Sequence, residues 1–235
     1  MISTLAQIIL AWIGQFGPYL ALLFQGVLLS RYFDSRNRDY PLAILFSFSL
    51  FFLTLTSIVV PGMHLMQARD FFRLYAMLDL AIHILLLILM LQLLRKTLSA
   101  LAYPPSVTVY LAVLSFTIAL LAYLYFGFQA QSTFLHFFRT RQVVSFWLVL
   151  VNLYWWTLLL RRRQLDRRIL LLSAGIGLLM TGQVMGDGIS TLYTDNSPLR
   201  LLGAIVMYGS HFSYLYVWLN AFRPGHALEV KPSFT

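Results

Sequence analysis

The stretch YAMLDLAIHILLLILMLQLL, Tyr75–Leu94, decides the class of this chain. As a helix it is about 30 Å long, the thickness of the hydrocarbon core of a bilayer. Its apolar residues run on without the period-two alternation of a membrane barrel strand, so a barrel is excluded. The rest of the chain agrees. Its 235 residues are 60% hydrophobic and 11% charged, with a mean hydropathy of +0.77. A soluble domain carries roughly 25% charged residues. That shortage of polar surface excludes a soluble enzyme, a disordered tail and a nucleic-acid-binding domain. With no cysteine, disulfides, thiolate metal sites and cysteine nucleophiles are excluded as well.

Working outward from that helix, two similar runs precede it, Ile9–Ser30 and Leu42–Val60. Four follow it: Val107–Gly127, Val143–Leu160, Ile169–Thr191 and Leu201–Phe222. Pro41, Pro61-Gly62, Pro104-Pro105 and Pro198 punctuate the gaps, as helix breaks require. The expected fold is all-α: a polytopic membrane protein with seven transmembrane helices in one domain, 1–235, whose residues 223–235 form a short cytoplasmic tail. Helix 1 and helix 5 each run into a basic segment, Arg31–Arg36 and Arg161–Arg167. Helices 3 and 7 follow Arg73 and Arg200 and carry His83 and His211. This recurrence is what a 3+1+3 parallel repeat would give.

Lysine and arginine are distributed unevenly. The first, third and fifth connections and the tail hold 12 of them, and the opposite side holds 5, counting Arg139 and Arg141 in its loops. The positive-inside rule then predicts a bacterial inner (plasma) membrane protein with its N-terminus outside and its C-terminus in the cytoplasm. The uncharged N-terminus lacks the basic region of a cleaved signal, so helix 1 is expected to stay as an anchor. The net charge of +9 is read as basic loops at the lipid surface, with the bilayer and not nucleic acid as the partner.

Polar groups inside the spans are costly unless paired, so function is sought there first. Asp79 and His83 are spaced i,i+4 on one face of helix 3. Gln183 and Asp187 come late in helix 6, and Tyr208 and His211 lie in the middle of helix 7. These six residues are the candidate ligand-binding set, grouped in the outer half, with His211 the expected cross-helix partner of Asp79 and His83. Gln15 and Asn152 add polar groups on helices 1 and 5. Two readings stay open, a pocket reached from outside and a set of interhelical hydrogen bonds that fix packing. The Gly182/Gly186 spacing reads as a close-packing seam, with a break or kink around Gly186-Asp187-Gly188 that would free backbone carbonyls to a ligand or ion as the alternative, and the same small-residue face is one place where a protein partner would dock.

No catalytic constellation is present: there is no HExxH, phosphate loop or GxSxG elbow, so no enzyme is expected. No cofactor is predicted. Haem b stays open as an alternative through His83 and His211 as opposed axial ligands. A retinal Schiff base is excluded because the only lysines, Lys96 and Lys231, fall outside the expected helices.

The segment Phe71-Phe72-Arg73-Leu74-Tyr75-Ala76-Met77-Leu78-Asp79, continuing to Arg95, resembles a family of seven-helix bacterial inner-membrane proteins. In that family an aromatic entry leads to a Tyr and, four residues on, a carboxylate, and the helix closes on an arginine. Tyr75, Asp79 and Arg95 stand in those places, with Asp79 where the family usually has Glu. The resemblance implies seven helices and weight on Asp79, and no activity. Three functions follow as expectations. The first is a receptor-like or accessory module, signalling through a protein partner on the Arg161–Arg168 loop or the Gly182/Gly186 face. The second is a small-solute or proton-coupled transporter built from two three-helix halves. The third is a haem- or pigment-holding subunit of a membrane complex.

Overall fold

The computed structural model describes residues 2–33, 40–63, 66–129, 132–160, 167–192 and 198–223. Seven helices account for nearly all of them: α1 Ile2–Tyr32, α2 Pro41–Gly62, α3 Ala68–Ala100, α4 Pro105–Gln129, α5 Thr133–Leu160, α6 Arg167–Leu192 and α7 Pro198–Ala221. Among the described residues there is no strand. Six of the helices, α1 to α6, are long and apolar enough to cross a membrane. Helix α7, with 24 residues, is as long but more polar, and much of that polarity is turned toward protein. Tyr208 lies against Gly17 of α1, Ser210 against Gly182 of α6, and His211 against Gln25 of α1.

Short connections make consecutive helices antiparallel. The near end of the bundle is the one where α1, α3, α5 and α7 begin; the other is the far end. Six helices form a closed ring in the order α1, α2, α3, α5, α6, α7, and α4 packs outside α3 and α5. Helices α3 and α6 are the most enclosed, and α3 carries the larger apolar side chains. In α3, Leu86, Leu87, Leu89, Met90, Leu93 and Leu94 are at most 1% exposed. Helix α4 is held at the edge by Trp147 of α5, whose indole N–H donates to Ser115 at 2.9 Å. The ring departs from sequential order only at α4, which stands outside it, and this order alone does not establish a 3+1+3 repeat. The packing is also unequal: α6 and α7 are in far closer contact than α2 and α3, their counterparts in such a repeat.

Two helix boundaries differ from expectation in ways that matter. Helix α5 begins at Thr133, ten residues before Val143. Nothing between the two is Gly or Pro, and the Ser132 hydroxyl accepts the Leu135 N–H at 3.3 Å, an N-cap that starts the helix there. Arg139 and Arg141 are therefore helical and not loop residues. Helix α3 overruns Leu94 by six residues, which places Lys96 inside the helix, against the expectation. Its ammonium stands over the Tyr40 ring, 4.7 Å from the centroid, at the far end. Helix α3 stops where Ala102 takes a φ of 57° and Pro104 forbids another turn.

The Gly182/Gly186 face is a packing seam, and α7 of the same chain covers it. A Cβ on Gly186 would lie 2.8 Å from the Gly203 carbonyl oxygen and 2.9 Å from Met207 Cβ. Gly203 returns the fit, its own Cβ position being 3.0 Å from the Gly186 carbonyl oxygen. This face is occupied within the monomer and does not await a separate protein, which corrects that expectation. The 161–166 segment and residues 224–235 lie outside the described residues, so the partner loop is described only at Arg167 and Arg168, in the first turn of α6.

Candidate functional site

Asp79 lies eleven residues into α3, Arg141 eight residues into α5, and Asp187 five residues before the end of α6. At 1.5 Å per residue these are roughly 16, 12 and 8 Å in from the near end of each helix. Three ring neighbours thereby bring charge to similar depth, and the side chains meet. One guanidinium nitrogen of Arg141 donates to Asp79 Oδ2 at 2.9 Å. The other donates to Asp187 Oδ2 in a short contact. Arg141 therefore ties α3, α5 and α6 together. The three side chains are 10%, 14% and 13% exposed for Arg141, Asp79 and Asp187. Phe138, one turn earlier in α5, lies under the guanidinium, 4.8 Å from ring centroid to Cζ, and adds a cation–π contact. The Arg141 Nε–H is buried and has no partner among the described residues.

His83 continues the cluster one turn deeper. Its Nδ1 is 2.7 Å from the Asp79 carbonyl oxygen and 3.5 Å from the carboxylate. Its Nε2 is 2.9 Å from Gln183 Oε1 of α6. The side chain is 3% exposed. Tyr75, one turn before Asp79, is within electrostatic reach of Asp79, Arg141 and Tyr208. The structure thus brings together four of the six predicted residues, Asp79, His83, Gln183 and Asp187, with Tyr208 at the margin through Tyr75.

His211 belongs elsewhere, and this corrects its expected pairing with Asp79 and His83. Its Nε2 is 3.3 Å from the Gln25 amide nitrogen of α1, and its ring stands edge-on to Tyr214 at 5.8 Å. Gln25 Oε1 and the Tyr214 hydroxyl are buried without a hydrogen-bond partner among the described residues. The tyrosines Tyr32 and Tyr214, with Ser47, which lies 3.2 Å from the Tyr32 hydroxyl, complete a second, uncharged polar region. Gln15 is exposed on the outer face of α1. Asn152 is buried, with its amide against Gly177 of α6.

These positions do not fit haem ligation by His83 and His211. Both nitrogens of His83 are hydrogen-bonded, and His211 faces Gln25 and not an opposed imidazole. Among the described residues no group of three or more His, Asp or Glu side chains is placed to hold a metal ion.

Five residues of these regions, Gln25, Tyr32, Ser47, Arg141 and Tyr214, escaped sequence reasoning. Gln25 was hidden among leucines. Arg141 had a signal: two intramembrane carboxylates, Asp79 and Asp187, require a cation, and Arg141 is one of three basic residues on that side, with Arg73 and Arg200, within two positions of an apolar run. No family model, curated protein sequence or solved structure matches this chain.

Proposed function

We propose that this chain is a receptor-like or accessory protein of a bacterial inner membrane, whose state is held by the Arg141 ion pairs and passed to a protein partner. The observation that carries the reading is the position of Arg141 between carboxylates on two other helices. Breaking such a pair leaves a buried charge, at a cost of about 3–5 kcal/mol. The junction is therefore either made or broken, as a switching element needs to be. A charged ligand arriving at the near end would compete for the partly exposed carboxylates or take the unused Nε–H of Arg141. Helix α6 is fixed to α7 by the glycine seam, so release from α5 would move the two as a unit. The far end of α6 starts at Arg167, adjoining the basic 161–168 run, and that run is where a partner with acidic groups would sense the movement.

The charge asymmetry supports an outside N-terminus and a cytoplasmic C-terminus. Taking Arg141 out of the loops widens that asymmetry, since it is buried in ion pairs. The resemblance to a family of seven-helix inner-membrane proteins adds weight on Asp79, which is a partner of Arg141. A second reading, a proton-coupled transporter of small solutes, is favoured by His83 alone, a protonatable ring set between Asp79 and Gln183.

Affinity purification of the full chain from its native membrane separates the two. The receptor reading expects a co-purifying protein that is lost when the arginines of the 161–168 run are changed to Gln, with the thermal midpoint unchanged. A partner-free protein that catalyses solute counterflow in proteoliposomes would replace it with the transporter.

A further inference from the structure

Helix α1 carries an amide on its outer face at a depth where lipid offers it nothing. Gln15 is exposed and makes no hydrogen bond among the described residues. Its depth follows from its neighbours. Helices α1 and α7 run side by side in the same direction, with Gly17 against Tyr208 and Gln25 against His211. Gln15 is therefore level with Val206, eight residues into α7, or roughly 12 Å from the near end. Seventeen residues, roughly 25 Å, separate it from the end of α1 at Tyr32. A hydrocarbon core about 30 Å thick encloses such a position.

An unpaired amide in hydrocarbon is costly, because no water is there to bond it. Other polar side chains toward the outside of the bundle meet that demand locally. Thr157, Ser213 and Asn220 each donate to a carbonyl of their own helix. Gln15 does not, so its partner has to come from outside the monomer.

The surroundings of Gln15 show what kind of partner fits. Ile8, Trp12, Gln15 and Tyr19 follow one another in steps of four, three and four, the spacing of a helix–helix seam. Ile8, Trp12 and Tyr19 are more than half exposed, so the seam is open along its length. Copies of one chain insert in the same orientation, so a two-fold axis between two of them runs along the membrane normal, and equal residues meet at equal depth. Gln15 would then face Gln15. An amide has both a donor and an acceptor, so it is its own complement, and one polar residue in an apolar seam fixes the register. Helix α4 is exposed to a similar degree, but it has no amide side chain before Gln129 at its end. Its outer face, with Val109, Val113, Leu120 and Leu124, suits lipid alone.

We infer that two copies of this chain pair along the outer face of α1, Gln15 against Gln15, in a symmetric dimer. The α1 face lies outside the ring that contains the Arg141 ion pairs, so the dimer stands or falls separately from the receptor reading.

The chain has no cysteine, so one introduced cysteine reports one contact. In native membranes treated with copper phenanthroline, Trp12→Cys and Tyr19→Cys should give a disulfide-linked product of twice the 27.0 kDa of the chain. Leu20→Cys, also exposed but turned about 100° from Tyr19, should not, nor should Val113→Cys on α4. Single-molecule photobleaching of the full chain at increasing lipid dilution then gives the dissociation constant. Gln15→Met keeps the length of the side chain and removes both hydrogen-bonding groups. It should raise that constant roughly 3- to 20-fold, the range for one interhelical hydrogen bond, while the melting midpoint of the monomer in detergent stays put. Monomers at every dilution would overturn the inference. So would products from Leu20→Cys or Val113→Cys in place of the seam positions, or a product of any other mass, which would mean a different protein on this face. A Gln15→Met protein that pairs as tightly as the wild type would overturn it too.

Discussion

Helix α6 is joined to its neighbours in two unlike ways. Toward α7 it presents Gly182 and Gly186, and the helices approach until backbone meets backbone, with the Gly203 carbonyl 2.8 Å from where a Gly186 Cβ would be. Toward α5 and α3 it presents Gln183 and Asp187, and the join is made by charge and hydrogen bonds to Arg141 and His83. The first join is built from shape, has no protonation state and answers to no ligand. The second is built from groups that a proton, an ion or a competing charge can alter. One side of α6 is suited to stay shut and the other to change, and a helix that transmits a signal needs both.

The contrast breaks most severely at Gly186. Replacing Gly186 by Leu puts a branched side chain where the Gly203 carbonyl and Met207 already are. Backbone cannot retreat cheaply, so the cost should exceed the 1–3 kcal/mol or so usual for overpacking. Size-exclusion chromatography after mild extraction should recover little monodisperse Gly186→Leu protein. Normal yield and an unchanged melting midpoint would mean that the seam is not the fixed side of α6.

Next in size is Arg141→Met, which leaves two facing carboxylates without their cation. About 3–5 kcal/mol of destabilisation is expected, measured from the melting midpoint in detergent. The triple variant with Asp79→Asn and Asp187→Asn removes the stranded charges as well and should recover most of that loss, because a buried ion pair replaced by neutral groups of similar size is often nearly neutral in stability. A triple variant no more stable than Arg141→Met would show that Arg141 acts through packing against Phe138 and not through charge.

The seam and the ion-pair junction were not equally legible in the sequence. Seven helices followed from apolar runs such as Tyr75–Leu94, because crossing hydrocarbon is a requirement on composition and length. The seam followed from the spacing of Gly182 and Gly186. The depths of Asp79, His83, Gln183 and Asp187 followed too, since each residue advances a helix by a fixed rise. Rotation about the axis did not follow. His211 has a depth similar to that of His83 and was paired with it on that ground, yet its ring is turned to Gln25 of α1. Depth comes from counting, whereas facing comes from how the neighbours pack. Arg141 was misplaced for a different reason. A basic residue among aromatics, Phe134, Phe137 and Phe138, reads as an interfacial loop when no apolar run encloses it. Its helix is set by the Ser132 cap and by the absence of any breaker before Val143.

The smallest expected effect tests whether the seam is shape alone. Ser210 of α7 lies directly against Gly182, and a hydroxyl between helices is commonly an interhelical hydrogen bond worth about 0.6 kcal/mol. Here it donates instead to the Met207 carbonyl of its own helix at 2.9 Å. That carbonyl is three residues back, so the bond stays within α7 and contributes little to the join. Ser210→Ala removes the hydroxyl, keeps the Cβ and preserves the close approach. The melting midpoint should then move by no more than the few tenths of a kcal/mol typical of substitutions away from such features. Ser210→Val tests the same position for size: a methyl group in place of the hydroxyl and a second one beside it press on α6 where Gly182 leaves no side chain to yield, so it should be clearly destabilised. If Ala and Val were equally damaging, the seam would depend on the hydroxyl, and α6 would be held by polar contacts on both of its sides.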